Sequence, residues 1–109
     1  MNSILKTIAA MTIGLSAVFM HSQATAAGAN GKALYKAKNC ITCHGKKGKS
    51  PLMAGYPKLA GQDKKYLVIQ INDIKSGARS NSMTPVMKPN VAALSDEEIS
   101  AIATYLSKQ

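Results

Sequence analysis

Cys40-Ile41-Thr42-Cys43-His44 restricts this chain more than any other stretch. Two thiols stand three positions apart, and an imidazole follows the second at once. This is the C-x-x-C-H pattern of covalent haem attachment. The spacing has a chemical reason. Two thiols on one turn of chain can add to the two vinyl groups of a single porphyrin. The imidazole beside Cys43 is then held close to the iron and ligates it from one face. Other uses of these residues fit less well. An exported C-x-x-C can be a structural disulfide or a thioredoxin-like dithiol, but the dithiol expects a βαβ context and no stretch here reads as a strand. A structural zinc site needs four ligands, and a catalytic one needs three plus water. Cys40, Cys43 and His44 supply only three, with no second cluster. The expected cofactor is therefore one covalent haem c with its iron; a disulfide or dithiol is the remaining alternative.

The length, 109 residues, suits one domain. Residues 1–26 read as a secretory signal peptide: a positive start at Lys6, an apolar run from Ile8 to Met20, then the small-x-small site Ala24-Thr25-Ala26. The apolar run is short for a membrane span of about 20 residues, so no transmembrane segment is expected after cleavage. Cleavage is placed after Ala26, with Ala27 second, which leaves residues 27–109 as the folded domain and the periplasm as its location. A domain of that size buries little apolar surface and often needs a metal, disulfide or cofactor. The aromatic content points the same way: no Trp, four Tyr, and one Phe that lies in the signal. A haem would fill a core that side chains alone do not.

The balance of 14 Lys+Arg against 5 Asp+Glu gives a formal charge of +9. A basic surface speeds encounter with acidic partners. Nucleic acid is a common reading of such a charge, but an exported protein rarely meets it, so no nucleic acid partner is expected.

Taken in order, Asn30 can cap a helix, and Leu34, Ala37 and Ile41 recur at helical spacing. A first helix is expected over about Gly31–Asn39. Glycine inside it costs about 1 kcal/mol relative to alanine; close approach of another helix is one reason for Gly31, and a frayed end is the other. Residues 45–61 read as a loop, too rich in Gly and Pro for a helix. A metal-bound imidazole usually donates its other N–H to a carbonyl, and Pro51 is a candidate source. The second helix is expected over Gln62–Ser76, with Leu67, Ile71 and Ile74 as its stripe and Gly77 as its stop. Residues 77–94 show no periodicity and read as a long functional loop. Ser95-Asp96-Glu97-Glu98 is a capping box opening a third helix that runs to about Ser107, with Ile99, Ile102, Ala103 and Leu106 on one face.

A haem ligated by His44 leaves its other face to be explained. His21 departs with the signal. The candidates are Met53, Met83, Met87, a lysine, or an open site. Met53 is close to His44 in sequence and its loop is expected to pack on the histidine side. Met83 and Met87 lie in the long loop, which can wrap the opposite face. A thioether is a soft ligand suited to Fe(II) and raises the reduction potential; the alternative is that both are core fillers.

The mature chain resembles the small bacterial class I c-type cytochromes, the mono-haem periplasmic forms and one half of the di-haem forms. The residues that carry the likeness are Gly31 and Tyr35, Cys40-Ile41-Thr42-Cys43-His44-Gly45, Tyr56-Pro57-Lys58-Leu59-Ala60-Gly61-Gln62, Tyr66-Leu67, Met87, and Leu94-Ser95-Asp96-Glu97-Glu98-Ile99 with Tyr105. The resemblance implies an all-α cytochrome c fold, with three main helices and long loops wrapped around one covalently bound haem. It implies that the first and last helices cross at Gly31, with Tyr35 and Tyr105 packed there. It also implies a distal methionine at a set interval before the last helix. Met87, eight residues before Ser95, fits that interval; Met83 is the runner-up. The expected function is a periplasmic electron carrier, not an enzyme, cycling Fe(III)/Fe(II) with His44 and Met87 as axial ligands. Lys46, Lys47, Lys49, Lys58, Lys64, Lys65 and Lys88 could steer acidic redox partners on the reductase and oxidase sides, and a monomer is the default. The alternatives are an electron-accepting subunit of a periplasmic oxidoreductase, an open-site haem sensor or peroxidase, and a thiol redox protein without haem.

Overall fold

The computed structural model describes residues 29–109; the expected signal peptide and its cleavage site lie outside the described residues. Five α-helices follow one another: α1 (Gly31–Ala37), α2 (Cys40–His44), α3 (Lys64–Ser76), α4 (Thr84–Val91) and α5 (Asp96–Ser107). A single 3-10 turn, Lys46–Gly48, follows α2. No strand occurs among the described residues, as the all-α reading expects.

Local sequence sets the helix ends. The Asn30 side chain accepts from the backbone N–H of Ala33 at 3.1 Å, a side-chain cap on one of the first free donors of α1. The first helix stops at Ala37, two residues short of the expected Asn39. Asn39 takes the left-handed conformation at φ 62°, which asparagine tolerates better than most residues. This turn separates α1 from the five-residue α2 that carries the cysteines. Helix α3 starts at Lys64 because Asp63 caps it, accepting from Tyr66 N–H at 2.9 Å. It ends at Gly77 with φ 90°. The capping box of α5 forms in both directions: Ser95 Oγ accepts from Glu98 N–H at 3.1 Å, and Glu98 Oε1 accepts from Ser95 N–H at 3.2 Å.

Helix α4 corrects the expectation of a structureless stretch over 77–94. Its prolines hid it. Pro85 falls in the first turn, where a missing N–H has no helical partner to lose. Pro89, inside the helix, forgoes one bond, so the segment stays short. Its inward stripe is only Met87 and Val91 at i, i+4, too brief to register as periodicity. Val91 is buried, and Met87 is half-buried against the core.

Helices α1 and α5 pack on each other, α5 packs on α3, and α3 packs on α4. Gly31 makes the first contact possible. A Cβ built there would overlap the Ala101 carbonyl and lie 2.8 Å from Tyr105 Cβ. Four residues on, the rings of Tyr35 and Tyr105 meet with centroids 5.7 Å apart and planes tilted by 52°, an edge-to-face type of contact. The close helix approach implied by the resemblance is thus present. The same tyrosine reaches the loop beyond α2: its hydroxyl donates to the Gly45 carbonyl at 2.7 Å. Burial, with a nearby Cys40 as a lesser cause, pushes the phenol up to about 12, so it remains a donor. Gly45, at φ 77°, lies so close to the Ser50 backbone that a Cβ would meet the Ser50 carbonyl carbon at 2.6 Å.

Two stability effects follow. Gly31→Val is expected to force α1 from α5 and to lower unfolding free energy by about 1–3 kcal/mol, the usual range for overpacking, in denaturant titrations. Tyr35→Phe keeps the ring contact but removes the donor to Gly45. The same titrations are expected to show a loss of about 1 kcal/mol with the ring packing intact by near-ultraviolet circular dichroism.

Candidate haem cleft

Cys40, Cys43 and His44 fall on the single turn of α2 and face one cleft. The cleft has a cavity volume of about 210 Å³ and opens to solvent at its mouth. Its walls come from every helix. Tyr35 on α1, Leu67, Ile71 and Ile74 on α3, Met87 and Val91 on α4, and Ile102 and Leu106 on α5 all line it. The lining is mainly apolar, and the structure brings into it four of the residues singled out from sequence: Cys40, Cys43, His44 and Met87, with Met83 at the rim as a fifth.

His44 is 7% exposed. Its Nδ1 lies 3.2 Å from the Pro57 carbonyl. A carbonyl only accepts, so Nδ1 carries the proton and donates. Burial lowers the pKa of the imidazole, against a smaller opposing effect of that hydrogen bond. The ring is therefore held neutral, with the Nε2 lone pair free, which is the form a metal ligand needs. The carbonyl comes from Pro57 and not from Pro51. The 3-10 turn over Lys46–Gly48 accounts for this: the loop folds back, with Leu59 and Ala60 N–H both donating to the Gly48 carbonyl at 2.9 and 3.1 Å. That brings Tyr56-Pro57 over the ring, and the Tyr56 ring stands 6.3 Å from the His44 ring.

The two cysteines are separate, part-buried thiols. Burial raises the pKa of Cys40, so it sits as a neutral thiol facing an apolar space. Two thiols at this spacing on one helical turn can each bond to a vinyl carbon of one porphyrin.

The thioethers divide clearly. Met87 is half-buried and packs on the core. Met83, 49% exposed, stands one helical turn earlier at the mouth. Met53 is 52% exposed and does not line the cleft. None of the lysines lines it either; Lys46, Lys47, Lys49, Lys58, Lys64, Lys65 and Lys88 are all exposed. A flat apolar group with two thiol attachment points, a neutral imidazole and a soft thioether in reach matches haem c, so the residues present fit that cofactor.

Sequence reasoning missed Tyr56, Gln70, Arg79 and Asn81, which also line the cleft. One signal was available for Arg79: it is the only arginine among the 14 Lys+Arg of the chain.

Comparison with known proteins agrees with the geometry. The chain is 43% identical over 100 residues to a thiosulfate dehydrogenase electron acceptor of Stutzerimonas stutzeri, covering 85% of this chain and 44% of that protein. It is 38% identical to a cytochrome c4 of Pseudomonas aeruginosa over 100% of this chain and 49% of the relative. It is 39% identical to cytochrome c-554(548) of Halomonas halodenitrificans over 68% of this chain and 88% of that protein. The chain thus spans about half the length of the first two relatives. The family model described as Cytochrome c matches residues 28–109, so the chain belongs to the cytochrome c family, whose members carry covalently bound haem c with its iron.

Proposed function

We propose that this chain is a periplasmic electron carrier. Cys40 and Cys43 would hold the haem through thioether bonds, and His44 Nε2 and Met87 would be the protein ligands to its iron. The observation that carries this reading is the shared cleft. It holds a neutral imidazole locked by Pro57 together with a half-buried thioether. When bound, the haem supplies one-electron exchange between Fe(III) and Fe(II).

The protein's own part is to keep that exchange free of reorganisation. The Pro57 carbonyl fixes the His44 tautomer and orientation. Packing of Met87 on the core holds its sulfur in place without a hydrogen bond. Thioether ligation favours Fe(II) and sets the potential towards the higher part of the haem range. The mainly apolar walls would limit the access of water to the bound group. With His44 and Met87 both committed to the iron, no position would be left for a substrate, which is the basis for reading the chain as a carrier and not an enzyme.

The exposed lysines and the formal charge of +9 support docking to acidic redox proteins. An exported location rests on residues 1–26 read as a signal peptide. No helix among the described residues is long and apolar enough to cross a membrane. A monomer remains the working state. The printed names of two relatives favour a narrower version. Both are thiosulfate dehydrogenase electron acceptors, each 43% identical over its matched span. On this second reading the chain accepts electrons from one periplasmic oxidoreductase, and it would copurify with that enzyme as a stable complex.

Absorption spectra of the exported protein test the ligand assignment. The wild type is expected to show low-spin c-type haem with the weak far-red sulfur-to-iron band when oxidised. Met87→Ala is expected to lose the band and become high-spin, while Met83→Ala keeps it. Loss of the band only in Met83→Ala would move the ligand one helical turn. A high-spin wild type that binds carbon monoxide readily would replace the carrier reading with an open-site one.

A further inference from the structure

We propose that Lys75 is a positioning residue that holds Met87 in place; the inference rests on the reading of Met87 as a ligand to the iron. Helix α4, which carries Met87, does little to hold itself. Pro89 forgoes one internal bond, and no side chain caps the helix at Met83. Just past α4, the Leu94 N–H donates to the Val91 carbonyl at 3.1 Å. The Leu94 carbonyl in turn accepts from Lys75 Nζ, on the last turn of α3, at 2.5 Å. Among the described residues this is the one hydrogen bond that joins residues 80–94 to the rest of the protein.

The remaining hold on α4 is mainly packing. The helix lies on α3, Val91 and Leu94 are buried, and Met87 is half-buried against the core. Apolar burial is non-directional, so it draws a short helix inward without fixing its rotation or its slide. A bond to one named carbonyl fixes both. With a charged donor it is also stronger than a bond between neutral groups. Leu94 is 2% exposed, so its carbonyl has little water to turn to once the ammonium is removed, and a buried acceptor left unpaired is costly.

Lys75 does not line the cleft, whereas Leu94 and Met87 both do. It therefore acts on the thioether through the exit of α4 and touches neither the iron nor the porphyrin. A second lysine supplies the comparison. Lys88 stands beside Met87 on α4, and its Nζ lies 3.4 Å from where a Cβ on Gly77 would be, so it too reaches the end of α3. A cation there is favoured by the helix dipole, but no hydrogen bond from the Lys88 ammonium is present among the described residues. The two lysines thus separate a directed bond from charge alone.

The test is the rate at which cyanide binds the oxidised, haem-loaded protein, because cyanide must displace the methionine. It is read beside the thermal loss of the far-red sulfur-to-iron band and of the far-ultraviolet helical signal. Lys75→Met keeps the stem and removes the donor. It is expected to raise the rate about tenfold, and to lower the midpoint of band loss more than that of helix loss. Lys75→Arg, which keeps a charged donor, is expected to fall between wild type and Lys75→Met. Lys88→Met is expected to leave the rate and both midpoints unmoved. An unchanged rate and band in Lys75→Met would overturn the proposal and leave Met87 as the ligand. Equal effects of Lys75→Met and Lys88→Met would overturn it too, as would equal lowering of the two midpoints, which would make Lys75 a general stabiliser of the fold. A far-red band that survives Met87→Ala would overturn the ligand reading on which the proposal rests.

Discussion

The core and the cleft are built from the same side chains. Eight of the ten buried core residues, among them Leu67, Ile71, Ile74, Val91, Leu94 and Ile102, also line the cleft. Only Ile99 and Ala103 are core and nothing else. A domain of this size is marginal on apolar burial alone, and here most of its buried apolar side chains converge on one cleft. The stability of the fold and the placement of its reactive groups are therefore one problem. The crossing of α1 and α5 at Gly31 sets the frame. Tyr35 links that frame to Gly45, and α2 hangs between them with its two thiols and imidazole turned inward.

Electrostatics divides the molecule into an outside and an inside. Outside, lysines dominate and face water, where each contributes little to stability but together they raise the encounter rate with acidic surfaces. Inside, charge is nearly absent. His44 is held neutral by burial, the Cys40 thiol is held protonated by the same cause, and Met87 brings no charge. Arg79 is the exception, half-buried at the cleft and bonded to Gln70.

Much of this was legible in the sequence because local chemistry decided it. Ser95 and Glu98 cap α5, Asn30 caps α1 and Gly77 stops α3, each through bonds spanning a few residues. Cys40, Cys43 and His44 were legible because their spacing is itself the chemistry. What was not legible depended on tertiary context. Helix α4 forms across two prolines because Met87 and Val91 gain burial against the core, a term that no local propensity contains. Pro57 and not Pro51 reaches His44 because the chain turns back at Gly48, whose carbonyl collects Leu59 and Ala60. Gln70 and Arg79 come together from the end of a helix and the turn after it, and neither announces the other in the sequence.

If the cofactor is the centre of the core, the chain without it has no adequate core to fold around. The most direct test compares far-ultraviolet circular dichroism and thermal melting of the protein made with and without haem attachment. The account expects the coloured protein to be helical with one cooperative melt, and the colourless chain to lose most helical signal and melt without a transition. A colourless chain with the same helical signal and the same cooperative melt would contradict it, because the side chains alone would then suffice to hold the fold.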